Sequence, residues 1–103
     1  MKLTMTFAVL ILAGTATARA QGDAKDLYLS KCATCHGADG AGKTAMGKKL
    51  KVQSALTAAG KMSAEQMIKV VTDGKGESMA AYGKQFSAEQ IKGLVDYYRG
   101  LGK

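Results

Sequence analysis

Five consecutive residues, Cys32-Ala33-Thr34-Cys35-His36, restrict what this chain can fold around. Two cysteines three positions apart can form thioether bonds to the two vinyl groups of one porphyrin, and the histidine that follows directly can then bind the iron. The spacing therefore predicts one covalently bound haem c. Its iron would be held by His36, and its ring would be attached through Cys32 and Cys35.

Other uses of these three side chains fit the sequence less well. A structural zinc site needs four ligands, usually Cys or His, whereas the chain has two cysteines and one histidine. A thioredoxin-like redox pair requires a βαβ context, and no segment shows the alternation of a strand. A simple disulfide between Cys32 and Cys35 remains compatible with an exported chain, although it would close a very short loop and stabilise little.

The N-terminal residues have the pattern of a secretory signal peptide. A positive start at Lys2 precedes the apolar run Leu3–Ala13, and Ala18-Arg19-Ala20 is a small-x-small cleavage pattern. The apolar run is too short to span a membrane, which takes about 18 residues. We therefore predict a cleaved signal peptide over 1–20 and a single periplasmic domain over 21–103, with no stable membrane insertion.

The predicted domain is small and basic. A domain of this size buries only about 60–65% of its unfolded surface, so a bound porphyrin would supply core that the chain lacks. Removing Lys2 and Arg19 with the signal lowers the formal net charge from +7 to +5. This charge favours encounters with acidic partners, whereas scattered lysines on an exported chain do not indicate nucleic-acid binding. We expect a monomer.

Periodicity and capping residues predict three main helices. The first runs from Ala24 to Lys31 with Asp23 as its N-cap. The other two begin at the identical tetrapeptides Ser63-Ala64-Glu65-Gln66 and Ser87-Ala88-Glu89-Gln90, in which the serine caps a backbone amide and the glutamine reaches back. No segment alternates like a strand, so the chain is predicted to be all-α.

Two glycine-rich segments, 37–47 and 73–83, are predicted to be loops, and residues 50–60 are compatible with a short helix. The first segment also satisfies the phosphate-binding pattern G-x-x-x-x-G-K-[ST] over Gly37–Thr44. That loop works only between a hydrophobic strand and a helix. The Cys-x-x-Cys-His residues before Gly37 cannot form such a strand, so we interpret the match as accidental.

The second axial position of the iron could be taken by methionine, lysine or water, because the chain has no second histidine. Met67 lies on the apolar face of a predicted helix and Met62 directly precedes its cap, positions where methionine usually fills space. Met46 follows His36 by only ten residues. Met79 lies in the second glycine-rich loop, far enough along the chain to reach the opposite face of the haem, and we predict it as the sixth ligand.

Together these features resemble class I cytochrome c over the whole of 21–103. The likeness rests on the Cys32–His36 segment, on Met79-Ala80-Ala81-Tyr82 and on Leu94-Val95-Asp96-Tyr97-Tyr98. It implies a cytochrome c-like fold, with three main helices and their loops wrapped around one covalently bound haem. It also implies an electron carrier rather than an enzyme, in which the haem iron cycles between Fe(III) and Fe(II) with His and Met as axial ligands.

The resemblance extends to helix packing. In the family, a small residue and an aromatic residue four positions apart precede the first cysteine and cross the C-terminal helix. Ala24, Tyr28 and Cys32 keep that spacing. Leu94 and Tyr97 are the expected crossing partners.

Two residues depart from the family pattern. Lys48 follows Gly47 where the family has a proline whose carbonyl accepts the imidazole N–H of the haem histidine, here His36, and Ala80 replaces the proline that commonly follows the methionine, here Met79. We expect the carbonyl of Lys48 to accept this hydrogen bond. We also expect a looser methionine loop, because both rigid anchors are absent.

Other functions of the same haem remain open at this point. A haem peroxidase or gas sensor would need a labile sixth ligand and polar groups over the open face, and a small cytochrome subunit of a larger oxidoreductase would use the same chemistry. For a carrier, lysines flanking the haem-binding segments are expected to meet acidic docking patches on redox partner proteins in weak, salt-sensitive encounters. These lysines are Lys31, Lys43, Lys48, Lys49 and Lys84.

Overall fold

A computed structural model describes residues 23–102 of the chain, and the predicted signal peptide over 1–20 lies outside them. The described residues form six helices. They are α1 (residues 23–31), α2 (Ala33–His36), α3 (Ala45–Lys49), α4 (Ala55–Lys61), α5 (Ala64–Asp73) and α6 (Ala88–Leu101). Within 23–102 there is no strand, only an isolated antiparallel bridge between Lys75 and Met79. The predicted all-α class is confirmed.

Helices α5 and α6 begin at the two predicted capping boxes. The Ser63 hydroxyl accepts the N–H of Gln66 at 3.1 Å, and the Gln66 side chain accepts the N–H of Ser63 at 2.8 Å. Ser87 and Gln90 repeat this arrangement with the same two distances. Each box gives partners to amides that have none inside the helix, so the tetrapeptide sets where the helix starts. Helix α5 ends at Gly74, as glycine favours.

The remaining helix boundaries differ in part from the predictions. Residue 23 is already helical, so Asp23 lies inside α1 rather than capping it. Helix α4 provides the short helix allowed for 50–60. Helix α3 differs from the prediction, which places Gly47 at the end of a glycine-rich loop. The Thr44 hydroxyl accepts the Gly47 N–H at 2.9 Å, and this N-cap offsets the low helix propensity of glycine.

Helix α1 packs against α6 through the predicted aromatic contact. Tyr28 is only 1% exposed, and its ring centroid lies 5.2 Å from that of Tyr97 and 6.2 Å from that of Tyr98. Ala24, one turn earlier on α1, and Leu94, on α6, are both buried. The small-plus-aromatic spacing on α1 therefore does bring Tyr28 onto the C-terminal helix, and the predicted crossing is confirmed.

A second apolar cluster joins α4 and α5 to α6. Ala58, Met67 and Val95 are its buried members. Each fully buried side chain of Val or Met size contributes roughly 1.5–3 kcal/mol. Arg99 of α6 adds a polar tie, because its Nη1 donates to the Met62 carbonyl at the C-terminal end of α4, at 2.8 Å. This cluster forms one wall of the cavity described next.

Candidate functional site

One cavity of ≈540 Å³ lies between the helices. Its volume falls within the range of small-molecule and cofactor sites, about 300–1,000 Å³. The four predicted haem-binding residues all line it: Cys32, Cys35, His36 and Met79. The structure thus brings Met79 into the same cavity as the Cys32–His36 segment, from which it is far removed in the sequence.

The two cysteines sit at the junction of α1 and α2. The N–H of Cys32 donates to the Tyr28 carbonyl at 2.9 Å, and the Cys32 carbonyl accepts the N–H of His36 at 2.9 Å, so the motif continues directly from α1. Both cysteines are half-buried free thiols in this structure. Burial, with a smaller effect of the neighbouring Cys35, raises the pKa of Cys32 to about 11, so this group is a thiol near neutral pH.

The His36 ring is held by packing rather than by a hydrogen bond. Its centroid lies 5.0 Å from that of Tyr98 with the two planes at 72°. Burial lowers the pKa of His36 and so favours the neutral imidazole, which is the form that coordinates metals. Its Nδ1 is buried without a hydrogen-bond partner among the described residues. Metal-ligating histidines also normally donate their second ring nitrogen to a neighbouring group, and no acceptor for this one is present among residues 23–102.

The expectation that the Lys48 carbonyl accepts from His36 is wrong for this structure. That carbonyl accepts the N–H of Lys51 at 3.3 Å instead. The N–H of Lys48 donates to the Thr44 carbonyl at 2.9 Å, as in any helix. Because residue 48 lies in α3, its peptide groups serve that helix. A proline there would remove the bond to Thr44.

The segment 37–44 wraps around α2 and fixes its C-terminal end. The Tyr28 hydroxyl donates to the Gly37 carbonyl at 2.6 Å, and the Thr44 hydroxyl donates to the Thr34 carbonyl, also at 2.6 Å. The N–H of Gly42 donates to the His36 carbonyl at 2.8 Å. A helix rather than a strand precedes this segment, so the structural context of a phosphate-binding loop is absent here, as interpreted from the sequence.

Met79 reaches the cavity from the loop between α5 and α6. Its carbonyl accepts the N–H of Lys75 at 2.9 Å, and the N–H of Tyr82 donates to the Val71 carbonyl at 2.9 Å. The Tyr82 hydroxyl lies 3.5 Å from the Lys31 carbonyl, at the end of α1. Backbone hydrogen bonds therefore close this loop at Met79 and tie the residues that follow it to α5. Whether it is looser than in related proteins stays a prediction.

The other methionines divide into two groups. Met46 is 40% exposed and does not line the cavity, whereas Met62 and Met67 both do. The sequence predicts only a packing role for Met62 and Met67. Their exposure to the cavity depends on how α4 and α5 pack against α6, which local sequence patterns do not reveal.

Three lysines line the cavity, and only one of them was predicted to flank the haem-binding segments. Lys31 lines it, while Lys43, Lys48, Lys49 and Lys84 are exposed elsewhere. Two further exposed lysines that were not predicted, Lys51 and Lys75, also line the cavity. Lys75 could have been found from its place in the methionine loop. Lys51 has a left-handed backbone, with φ of 57°, and no sequence signal marks it.

The described part of the chain contains neither a zinc site nor a membrane-spanning helix. No three or more His, Cys, Asp or Glu side chains within residues 23–102 converge to hold a metal ion, so a zinc site has no ligand set there. No helix in the same range has both the length and the apolar character needed to cross a membrane.

Comparison with known proteins indicates the family of this chain. A family model described as cytochrome c oxidase, cbb3-type, subunit III, matches residues 19–97. The chain is 39% identical over 71 residues to cytochrome c6 of Leptolyngbya boryana, covering 69% of this chain and 80% of that protein. It is 31% identical over 77 residues to the cbb3-type cytochrome c oxidase subunit FixP of Azorhizobium caulinodans. That match covers 75% of this chain but only 26% of FixP, about a quarter of its length.

A solved structure shows the same fold. The KustC0563 c-type cytochrome superposes with a TM-score of 0.72 at 35% identity, covering 79% of this chain and 99% of that one. The predicted cytochrome c-like fold is thereby confirmed. Since both the sequence matches and the fold point the same way, this chain belongs to the cytochrome c family, as a small class I-like member whose cofactor is haem c.

Proposed function

We propose that this chain is an electron carrier whose haem is attached through Cys32 and Cys35 and ligated by His36 and Met79. The observation that carries the proposal is that all four side chains line the same cavity. The two free thiols suit thioether formation, and burial favours the neutral imidazole of His36, which is the form that coordinates a metal. The chemistry of this donor set therefore fits haem c.

The bound haem would supply a one-electron change between Fe(III) and Fe(II). The roles of the chain follow from its own residues. The two thioether links would fix the orientation of the ring, and packing of Tyr98 against His36 would restrict rotation of the imidazole. The thioether of Met79 would favour the ferrous state and so raise the potential. If His36 and Met79 both hold the iron, no site for a substrate would remain, which favours a carrier over an enzyme.

A peroxidase or gas sensor has less support. Such proteins use polar groups over an open face of the haem. Arg99 is the only arginine within residues 23–102. It is bonded to the Met62 carbonyl and does not line the cavity.

We propose that acidic partners dock at the edge of the cavity. The exposed side chains of Lys31, Lys51 and Lys75 all lie there, and opposite charges would accelerate encounters at low salt. Changing Lys51 and Lys75 to glutamate should slow electron exchange with an acidic redox protein at low ionic strength. The same double change at Lys43 and Lys84, which are exposed but do not line the cavity, should have a smaller effect. Equal effects would contradict a local docking surface.

A second candidate is a cytochrome subunit of a larger oxidoreductase. The family model and FixP are both described as parts of a cbb3-type oxidase. Size-exclusion chromatography of the full chain from its own cells separates the two roles. Elution at the size of one chain supports the free carrier and a monomer, whereas stable co-elution with larger subunits supports the second candidate.

We propose export to the periplasm after removal of residues 1–20. The small-x-small pattern at Ala18-Arg19-Ala20 supports this. N-terminal sequencing of the exported protein should begin at Gln21. A mature protein that retains the apolar run Leu3–Ala13 would contradict it.

Absorption spectra of two variants test the proposed ligation. Ferric iron bonded to a thioether sulfur has a weak red charge-transfer band, which Met79→Ala should abolish while making the ferrous protein bind carbon monoxide. Met46→Ala is the matched control, because Met46 does not line the cavity, and its spectrum should match the wild type. A band that survives Met79→Ala would show that another side chain is the ligand.

A further inference from the structure

Three methionines, not one, line the cavity. Besides Met79, the side chains of Met62 and Met67 contribute to its wall. Thioether sulfurs are chemically equivalent as iron ligands, so something beyond the residue type must decide which one binds. The contacts of Arg99 distinguish these methionines.

Arg99 contacts both competing methionines through one nitrogen. Its Nη1 donates to the Met62 carbonyl at 2.8 Å and lies 3.8 Å from the Met67 Sδ. A guanidinium Nη carries two N–H groups, so both bonds can form together. The Met67 side chain is 5% exposed and belongs to the buried cluster between α4, α5 and α6. It is thus packed as well as hydrogen-bonded.

We propose that Arg99 is a positioning residue that withholds the Met67 thioether from the haem iron and so leaves Met79 as the sixth ligand. This inference rests on the proposed Met79 ligation. A sulfur lone pair that accepts a hydrogen bond from a cation is less available to a metal. The 2.8 Å bond to the Met62 carbonyl anchors the guanidinium in place, and it also fixes the backbone of Met62 at the end of α4.

Removal of Met79 exposes the effect of Arg99. In Met79→Ala holoprotein, Arg99 still engages Met67, so the red thioether band should be absent. In Met79→Ala/Arg99→Leu, the freed Met67 should bind and the band should return. Because a hydrogen bond from a charged donor to the Met67 sulfur is lost, the ratio of thioether-bound to unbound haem should rise about tenfold. Adding Met67→Leu should abolish the band again.

Two further variants separate this role from simple helix capping. Arg99→Lys keeps a cationic donor and should leave the band absent in the Met79→Ala background. Arg99→Gln keeps a neutral donor for the Met62 carbonyl but removes the charge, and should restore the band as leucine does. Far-UV circular dichroism and haem content identify folded holoprotein, and the glutamine variant provides the test if the leucine variant does not fold.

Each outcome is decisive. A thioether band in Met79→Ala that added Met67→Leu abolishes, while Met67→Leu alone keeps the wild-type band, would overturn the role of Arg99. So would the absence of a band in folded Met79→Ala holoprotein carrying Arg99→Leu or Arg99→Gln. Met67→Leu in the otherwise wild-type protein should leave the band unchanged. Loss of the band in that single variant would instead show that Met67 is the native ligand, which contradicts the proposed Met79 ligation and not merely its control by Arg99.

Discussion

Replacing Gly47 with alanine should destabilise the protein through the haem-binding segment itself. Gly47 is buried in α3. A Cβ at this position would lie 2.5 Å from the Gly42 carbonyl oxygen and would also clash with the Cys35 carbonyl. Real Cβ atoms essentially never approach other atoms closer than 3.0 Å. Both obstacles are backbone atoms, so rotation of a side chain cannot relieve the overlap.

The expected cost is the difference between two opposing effects. Forcing an additional methyl group into a packed site costs typically 1–3 kcal/mol, and rigid backbone neighbours favour the upper end. Alanine recovers about 0.8–1 kcal/mol of helix propensity. The free energy of unfolding should therefore fall by about 2 kcal/mol, which for a domain of this size lowers the midpoint temperature by about 8–16 °C.

The same substitution at Gly60 is a matched control with the opposite expected sign. Gly60 lies in α4, and a Cβ there would meet no atom within 4 Å. Only the propensity gain remains, so Gly60→Ala should stabilise the protein by about 0.5–1 kcal/mol. Guanidinium unfolding of the ferric holoprotein measures both changes. A Gly47→Ala variant within 0.5 kcal/mol of the wild type, or two changes of the same sign, would refute the packing argument.

Two other substitutions test individual hydrogen bonds by the same unfolding assay. Tyr28→Phe leaves the buried Gly37 carbonyl without its 2.6 Å partner and should lower the free energy of unfolding by about 1–2 kcal/mol. Tyr98→Phe loses only an exposed 3.3 Å bond to the Gln53 carbonyl and should lower it by less than about 0.5 kcal/mol. Equal losses would contradict the idea that burial makes the Tyr28 bond the stronger of the two. Ser87→Ala removes the N-cap of α6 and should lower the free energy of unfolding by about 1 kcal/mol, whereas Ser87→Gly should lower it by only a few tenths. An unchanged free energy of unfolding in Ser87→Ala would show that the capping box does not stabilise the protein.

The parts of the structure that were predictable depend on short stretches of sequence. A capping box needs only Ser63 and Gln66, so its tetrapeptide suffices to locate the start of α5. The Cys-x-x-Cys-His motif likewise carries its own geometry within two helical turns. The crossing of α1 over α6 was accessible because Ala24 and Tyr28 keep a spacing shared with class I cytochrome c.

The features that were missed depend on distant contacts. The sequence predicts a loop at Gly47 because glycine has a low helix propensity. In the structure Gly47 lies in α3, and the carbonyls of Cys35 and Gly42 leave no room there for a side chain. The hydrogen bond expected between Lys48 and His36 is absent because residue 48 lies in α3, and its carbonyl accepts from Lys51 beyond the end of that helix. The thioether of Met67 faces the cavity only through the packing of α5 on α6, and its contact with Arg99 spans 32 residues of sequence.

Covalent attachment of haem at Cys32 and Cys35 is the central claim, and mass spectrometry tests it most directly. The exported protein, made with the haem-attachment machinery and extracted with a denaturing acidic organic solvent, should keep an intact mass greater than the apoprotein by one haem. Proteolysis should then yield the haem on the peptide that contains Cys32–His36. Haem that extracts into the solvent, leaving an apoprotein mass or a disulfide between Cys32 and Cys35, would contradict the account.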